Sequence, residues 1–348
     1  MPKDNENIPF FDDEPLLPAE PQGFTPDQMV RCEECLRVNP PTRLNCLYCA
    51  AALPVNEKRE DLLKLNLRPV EGWAMGYNNI FLPQSANQPT TETLIEVGKL
   101  LKLSSNDLAR IVAAGMPMPL ARTSTLEEAS LVNRRLEALG LETTVVSDSD
   151  LAFRDSPPLQ VRALTIDELG LTPKRIAETD VAHISWSQLL LVVTGRLFRK
   201  RVESKERKGG RGEKEIVDAS EFFADDAVVD LYSESDGKFR ILANGFDFSC
   251  LRDKKLIAAE NFSSLLKLIR ERAPEAEYDD SYNSCRQALD LVWPSEQQTG
   301  SSGWRRERPG KFSIGAVMES NNEVQFTRYS RLRYFLKAKA MVGSAQFQ

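Results

Sequence analysis

A single histidine, His183, serves all 348 residues of the chain, and this scarcity removes most chemistry that runs through imidazole. A catalytic base needs a nucleophile and an orienting carboxylate. No Gly-x-Ser-x-Gly elbow or catalytic cysteine signature accompanies His183, which opens an apolar strand pattern and reads as a structural or surface residue. Phosphate-cradling loops are missing too. Thr194-Gly195-Arg196 and Lys208-Gly209-Gly210-Arg211-Gly212 contain glycine but lack the Gly-Lys-Ser/Thr ending. The acidic pairs Asp225-Asp226 and Asp279-Asp280 read as solvated turns. No apolar run approaches the roughly 18 residues of a membrane-spanning helix, and Met1 to Phe10 lacks the basic and apolar regions of a secretory signal. The expectation is therefore a soluble, cytoplasmic protein. An overall basic surface is also absent: formal charge is -6, so a nucleic-acid role would need a local patch.

Cysteine is sparse, with six residues in all. Four of them fall into two Cys-x-x-Cys pairs, which excludes a secreted disulfide framework. Cys250 and Cys285 stand alone and read as ordinary packing residues. The paired set is Cys32, Cys35, Cys46 and Cys49. Two cysteines separated by two residues curl the backbone around one metal, and two such knuckles complete a tetrahedron of soft thiolates. Zn2+ is the expected ion. Four sulfurs leave no open position for water, so the expected site is structural, and about 25 residues with so few apolar side chains need the metal in order to fold.

The interior Asn39 between the knuckles resembles the Ran-binding-protein-type zinc finger. Asn39-Pro40, Ala50, Leu53 and Pro54 also resemble bacterial zinc ribbons, and fit them better. Where the finger family places an aromatic residue two before its first cysteine, this chain has Val30.

The length allows two or three cores, and the expected class is α+β, multi-domain. Residues 1–28 form an acidic, proline-rich tail with too little apolar content to offset its ordering entropy. The zinc ribbon occupies 29–54, and 55–90 reads as a linker. A small α/β module spans 91–148. Its first helix carries Leu94, Val97 and Leu101, and a second, capped by Ser104 or Ser105, carries Leu108, Ile111 and Val112. Ser124 and Thr125 each precede a glutamate by three residues, opening a third helix through Leu126, Ala129, Val132, Leu136 and Leu139. Gly140 ends it, and Glu142 to Val146 follows as a strand. This order, with Gly115 to Pro119 between the second and third helices, resembles the C-terminal domain of the bacterial ribosomal stalk protein.

From 159 to 274 the texture becomes β: Val161 to Ile166, His183 to Trp186, Gln188 to Phe198, Ala227 to Tyr232 and Phe239 to Ala243 read as strands, with Asp236-Gly237 as a hairpin turn. An amphipathic helix, Ala258 to Arg272, closes the set. Antiparallel strands with one closing helix, including Ile184 to Leu189, resemble a pleckstrin-homology-like domain, which implies a unit that folds alone. Residues 275–340 read as a helical C-terminal extension, with helices near Ser281 to Val292 and Phe326 to Lys339 and a polar stretch, Ser295 to Lys311, between them.

One charge cluster stands out. Arg196 to Lys214 holds nine basic residues against three glutamates. Within it Arg199, Lys200, Arg201, Lys205, Arg207, Lys208 and Arg211 are candidate polyanion contacts on a hairpin loop. A second basic stretch runs from Trp304-Arg305-Arg306 through Arg308 to Lys311. With no base, nucleophile and open metal position to assemble, the sequence points to a non-enzymatic zinc-binding adaptor whose partners are proteins. A nucleic-acid or ribosome-associated factor and a peripheral sensor of anionic lipid are the alternatives.

Overall fold

The computed structural model describes residues 23–54, 63, 67, 75–83, 88–151, 158–174, 183–208, 214–234, 237–308 and 311–345. Most of the 1–28 tail lies outside the described residues. The chain divides into two compact units, 1–64 and 65–348. It is mixed α+β, with six α-helices among the described residues. None of them is long and apolar enough to cross a membrane.

The first unit holds two short antiparallel strands, β1 (Val30–Arg31) and β2 (Val38–Asn39). Among the described residues its apolar cluster is Cys32, Cys46 and Leu53, edged by Val30, Cys35 and Ala51. So small an apolar set cannot offset the chain entropy of a module this size.

The second unit begins with β3 (Tyr77–Phe81), which the sequence places in a linker. It is instead the central strand of a three-stranded antiparallel sheet, between β4 (Met118–Thr123) and β5 (Thr143–Ser147). Two polar residues disguise it: Asn78 and Asn79 are fully buried, where Asn78 donates to Asp148 and Asn79 to the Ala129 carbonyl. Asp148 also accepts from Gly76 N–H and pairs with Arg122 on β4, clamping all three strands. Three helices pack on this sheet: α1 (Thr91–Leu101), α2 (Ser105–Ala113) and α3 (Leu126–Ala138). Their N-caps are Thr90, Ser104 and Thr125, each accepting from a backbone N–H three residues on. Of the two overlapping caps offered before α3, Thr125 is the one used.

The β region contains a three-stranded sheet of β7 (Ala163–Ile166), β8 (Gly170–Lys174) and β9 (Ile184–Ser185). Beside it lies a larger sheet built on β10 (Leu189–Lys208) and β11 (Lys214–Ser233), two strands of 20 residues each. The basic cluster is thus strand over most of its length, where the sequence suggests a loop. β12 (Lys238–Leu242) and β6 (Leu159–Gln160) extend the sheet beyond β11. Beyond β10 it continues with β15 (Lys311–Asn321) and then β14 (Glu296–Arg308), so the polar stretch read as a spacer forms one strand of a second hairpin. β13 (Glu277–Asp279) pairs parallel with the base of β10.

Alternation along β10 and β11 divides two cores. Val192, Val229 and Leu231 join Phe262, Leu265 and Ile269 of α4 (Ala258–Arg272). Leu191, Val193 and Val228 face the other way, into a core with Leu289 of α5 (Tyr282–Leu289), Trp293, and Phe326 and Tyr329 of α6 (Glu323–Ala345). That second core is continuous with Ile80, Val97, Leu108, Ile111 and Leu136 of the α/β module. The module, the β region and the C-terminal helices therefore belong to one unit, and the expected boundaries at 148 and 274 do not separate cores.

Burial of every residue from Val324 to Leu332 explains why α6 shows no amphipathic pattern. Three of its buried polar residues are answered individually: Gln325 donates to Asp290 and to the Trp293 carbonyl, Thr327 accepts from Arg240, and Tyr329 donates to Asp279. Gly195 on β10 is required by this packing, since a Cβ there would stand 2.6 Å from the Phe326 ring.

Candidate metal centre

Each knuckle of the first unit repeats one backbone pattern. Cys32 N–H donates to the Arg37 carbonyl at 2.9 Å, and Leu36 N–H donates back to the Cys32 carbonyl at 3.0 Å. Cys46 N–H donates to the Ala51 carbonyl at 2.8 Å, and Ala50 N–H to the Cys46 carbonyl at 3.0 Å. The residue after each second cysteine, Leu36 or Ala50, takes φ of 60°. A left-handed residue there is strained for a side chain other than glycine, and its occurrence at both equivalent positions marks a turn imposed by the ligands.

The four sulfurs converge. All lie within 4.8 Å of one another, with Cys32 and Cys49 Sγ 3.6 Å apart and Cys35 and Cys46 Sγ 3.5 Å apart. The cluster can hold a metal ion. Burial opposes ionisation of Cys46, but N–H donors from Tyr48 and Cys49 and the Asn39 amide outweigh it and hold that thiol down at about 6. At Cys49 the Ala51 N–H favours the thiolate, yet burial and the three neighbouring sulfurs push the thiol up to about 12. One thiolate is comfortable here and a full set is not. A bound dication reverses that balance by supplying the charge that four adjacent thiolates lack.

Asn39 joins the two knuckles. It is fully buried. Its Nδ2 donates to the Arg37 carbonyl at 3.0 Å and to Cys46 Sγ at 3.4 Å, while Oδ1 accepts from Leu47 N–H at 2.8 Å. One side chain thus ties the first knuckle to a ligand and to the turn of the second.

The remaining candidates fall elsewhere. His183 is exposed, with Nδ1 3.1 Å from Thr172 Oγ1. Cys285 is buried, and burial pushes its thiol up to about 12. Arg199, Lys200 and Arg201 lie on β10, where Lys200 pairs with Glu221 at 2.8 Å and Arg201 with Glu203 at 2.8 Å and Glu319 at 3.3 Å. Register sets Lys205 opposite Asp218, Arg207 opposite Glu215 and Lys208 opposite Lys214. Arg211 lies outside the described residues. The basic strand β10 is therefore partnered by a strand carrying Glu215, Asp218, Glu221, Asp225 and Asp226. Comparison with family models, curated proteins and solved structures yields no match for this chain.

Proposed function

We propose that the cysteine cluster is a structural zinc site and that the protein works as a non-enzymatic adaptor, using metal-folded and packed modules to hold partners. The convergence of four thiols within 4.8 Å carries this reading. Zinc bonded to thiolate at about 2.3 Å in a tetrahedron separates the sulfurs by about 3.8 Å, close to the 3.6 and 3.5 Å spacings of the two short pairs. Four cysteines exclude water from the ion, so the metal's contribution is folding free energy. Leu36, Val38, Leu47 and Tyr48 are exposed on the same small module, a surface suited to a protein partner.

The test is elemental analysis of the purified protein, with one zinc per chain expected and lost in Cys46→Ser. Absence of zinc, or a second equivalent that survives the substitution, overturns the metal reading. Affinity purification from the native cell tests the adaptor reading, with defined protein partners as the expected outcome.

A further inference from the structure

Strand β11 outruns one of its neighbours. On one side β10 pairs along its length, but on the other β12 pairs only from Val228 to Tyr232. The last backbone bond on that side runs from Ala243 N–H to the Ala227 carbonyl, beyond which Asn244 N–H bonds the Asp226 side chain instead. Among the described residues no strand pairs with this side of 219–226. Because the Ala227 carbonyl points outward, alternation turns the backbone groups of Asp225, Phe223 and Glu221 outward as well. The row is open to solvent: residues 219–225 are all exposed, and they include Phe222 at 58% and Phe223 at 65%. An unpaired edge with aromatic side chains on both faces is a template for another strand.

A cavity of about 220 Å³ opens where β12 ends. Leu197, Phe198 and Leu242 wall it, and its charged residues are Asp226, Glu323 and Arg199, one cation against two carboxylates. Glu323 reaches Arg240 at 3.5 Å, but that guanidinium is already held by Asp230 through two hydrogen bonds. The edge itself, 219–226, carries Glu221, Asp225 and Asp226 and no cation. Lys200 and Arg196 of β10 pair with the first two, while Asp226 accepts from a backbone amide. Register sets Leu197 opposite Asp226 and Arg199 opposite Ala224, so the cavity lies on the face shared by Phe222, Ala224 and Asp226. A residue added opposite Ala224 or Asp226 would direct its side chain to that same face. An apolar wall with carboxylates beside it suits the long stem and charged head of lysine or arginine.

We infer that the edge 219–226 takes an extended, basic segment of a partner protein as an added strand, with one lysine or arginine side chain entering the cavity beside Asp226 and Glu323. Main-chain bonds to Asp225, Phe223 and Glu221 hold such a strand, and the cavity selects its side chain. Charge decides between occupants. A second copy of this chain would set a matching row of Glu221, Asp225 and Asp226 against the first, whereas a basic strand brings the opposite charge. The inference rests on the reading of the chain as an adaptor and is independent of the metal.

The test is selection of random peptides of about eight residues, the span of an ordinary strand, on the full-length protein, each enriched peptide then being titrated by fluorescence anisotropy. Enriched peptides should share a lysine or arginine among β-branched or aromatic residues. Asp226→Asn keeps an acceptor for the Asn244 amide and removes only the charge, and it should weaken their binding by about tenfold. Phe223→Pro deletes an outward N–H, a change that an edge strand tolerates where that group faces solvent, and it should weaken binding at least as much. Where the proline variant melts early, Asp226→Asn decides. Asp253→Asn, the same change at an exposed residue outside the edge, should leave the affinity unaltered. No enriched peptide, enriched peptides without a basic residue, or equal binding to the parent and Asp226→Asn overturns the inference. So does a dimer of the parent in light scattering that Phe223→Pro dissociates, which would give the edge to a second copy. Native partners that co-purify equally with the parent and both edge variants leave the adaptor reading standing and overturn this one.

Discussion

Asn39→Ala is the sharpest probe of the metal centre, because it leaves all four ligands in place and removes only what orients them. The substitution deletes three hydrogen bonds, to the Arg37 carbonyl, to Cys46 Sγ and from Leu47 N–H. These losses are not equal. Leu47 is 51% exposed, so water can reach its amide and the cost there falls toward the low end of about 1–3 kcal/mol. Cys46 keeps the Tyr48 N–H, at 3.4 Å, as a donor to its sulfur. Together these put the loss at about 2 kcal/mol, roughly 30-fold in zinc affinity, within the range found for groups that support metal ligands. Asn39→Asp keeps the acceptor for Leu47 but sets a carboxylate against a site where four thiolates already outweigh a dication, so it should bind zinc more weakly than the alanine variant. Competition against a chromophoric chelator at neutral pH measures both. An alanine variant within about threefold of the original affinity, or an aspartate variant that binds more tightly than alanine, would refute the reasoning.

Three other outcomes are expected. Asp230→Ala strands the buried guanidinium of Arg240, which it holds through two hydrogen bonds at 2.7 and 2.8 Å, and should cost about 3–5 kcal/mol in urea denaturation. A loss under about 1 kcal/mol would show that Thr327 and Glu323 suffice to hold the arginine. A fragment of residues 160–273 should fail to unfold cooperatively, because Leu191, Val193 and Val228 lose the cover of Trp293, Phe326 and Tyr329; a sharp melting transition would contradict the shared core. N–H donors from Gly170 and Leu169 hold the Asp167 carboxyl below its usual range. A depressed folded value means the stabilisation is complete above the ordinary carboxylate range and is lost as pH falls through the folded value. Asp167→Ala should therefore lower the melting temperature near neutral pH and converge with the parent in acid, and a constant difference across the range would exclude this origin.

The sequence is most informative where a rule is local. Thr125 and Glu128, the apolar spacing through Leu136, and Gly140 at φ of 84° specify a helix and both of its ends within about fifteen residues, and that helix is present. The cysteine spacing works the same way, since each knuckle needs only its own six residues. Reading fails where the deciding partner is remote. β3 carries Asn78 and Asn79, which look like linker residues until Asp148, Ala129 and Trp293, distant in sequence, supply their hydrogen bonds. The helix near Phe326 to Lys339 is present as α6, but nothing in its sequence marks the stretch Val324 to Leu332 as enclosed on all sides, because periodicity reports a boundary with water and that stretch has none.

Charge is the extreme case of that dependence on partners. Nine cations in Arg196 to Lys214 read as a surface patch because counting within a window assumes that the window faces solvent by itself. A strand is answered by its neighbours across about 5 Å, not by the residues beside it in sequence. Pairing with β11 sets four of the nine against acids: Lys200 reaches Glu221, Arg196 reaches Asp225, and Lys205 and Arg207 stand in register with Asp218 and Glu215. The electrostatic energy at a surface depends on distances in space, so pairing across strands, and not density along the sequence, decides how much of the excess charge is left to act.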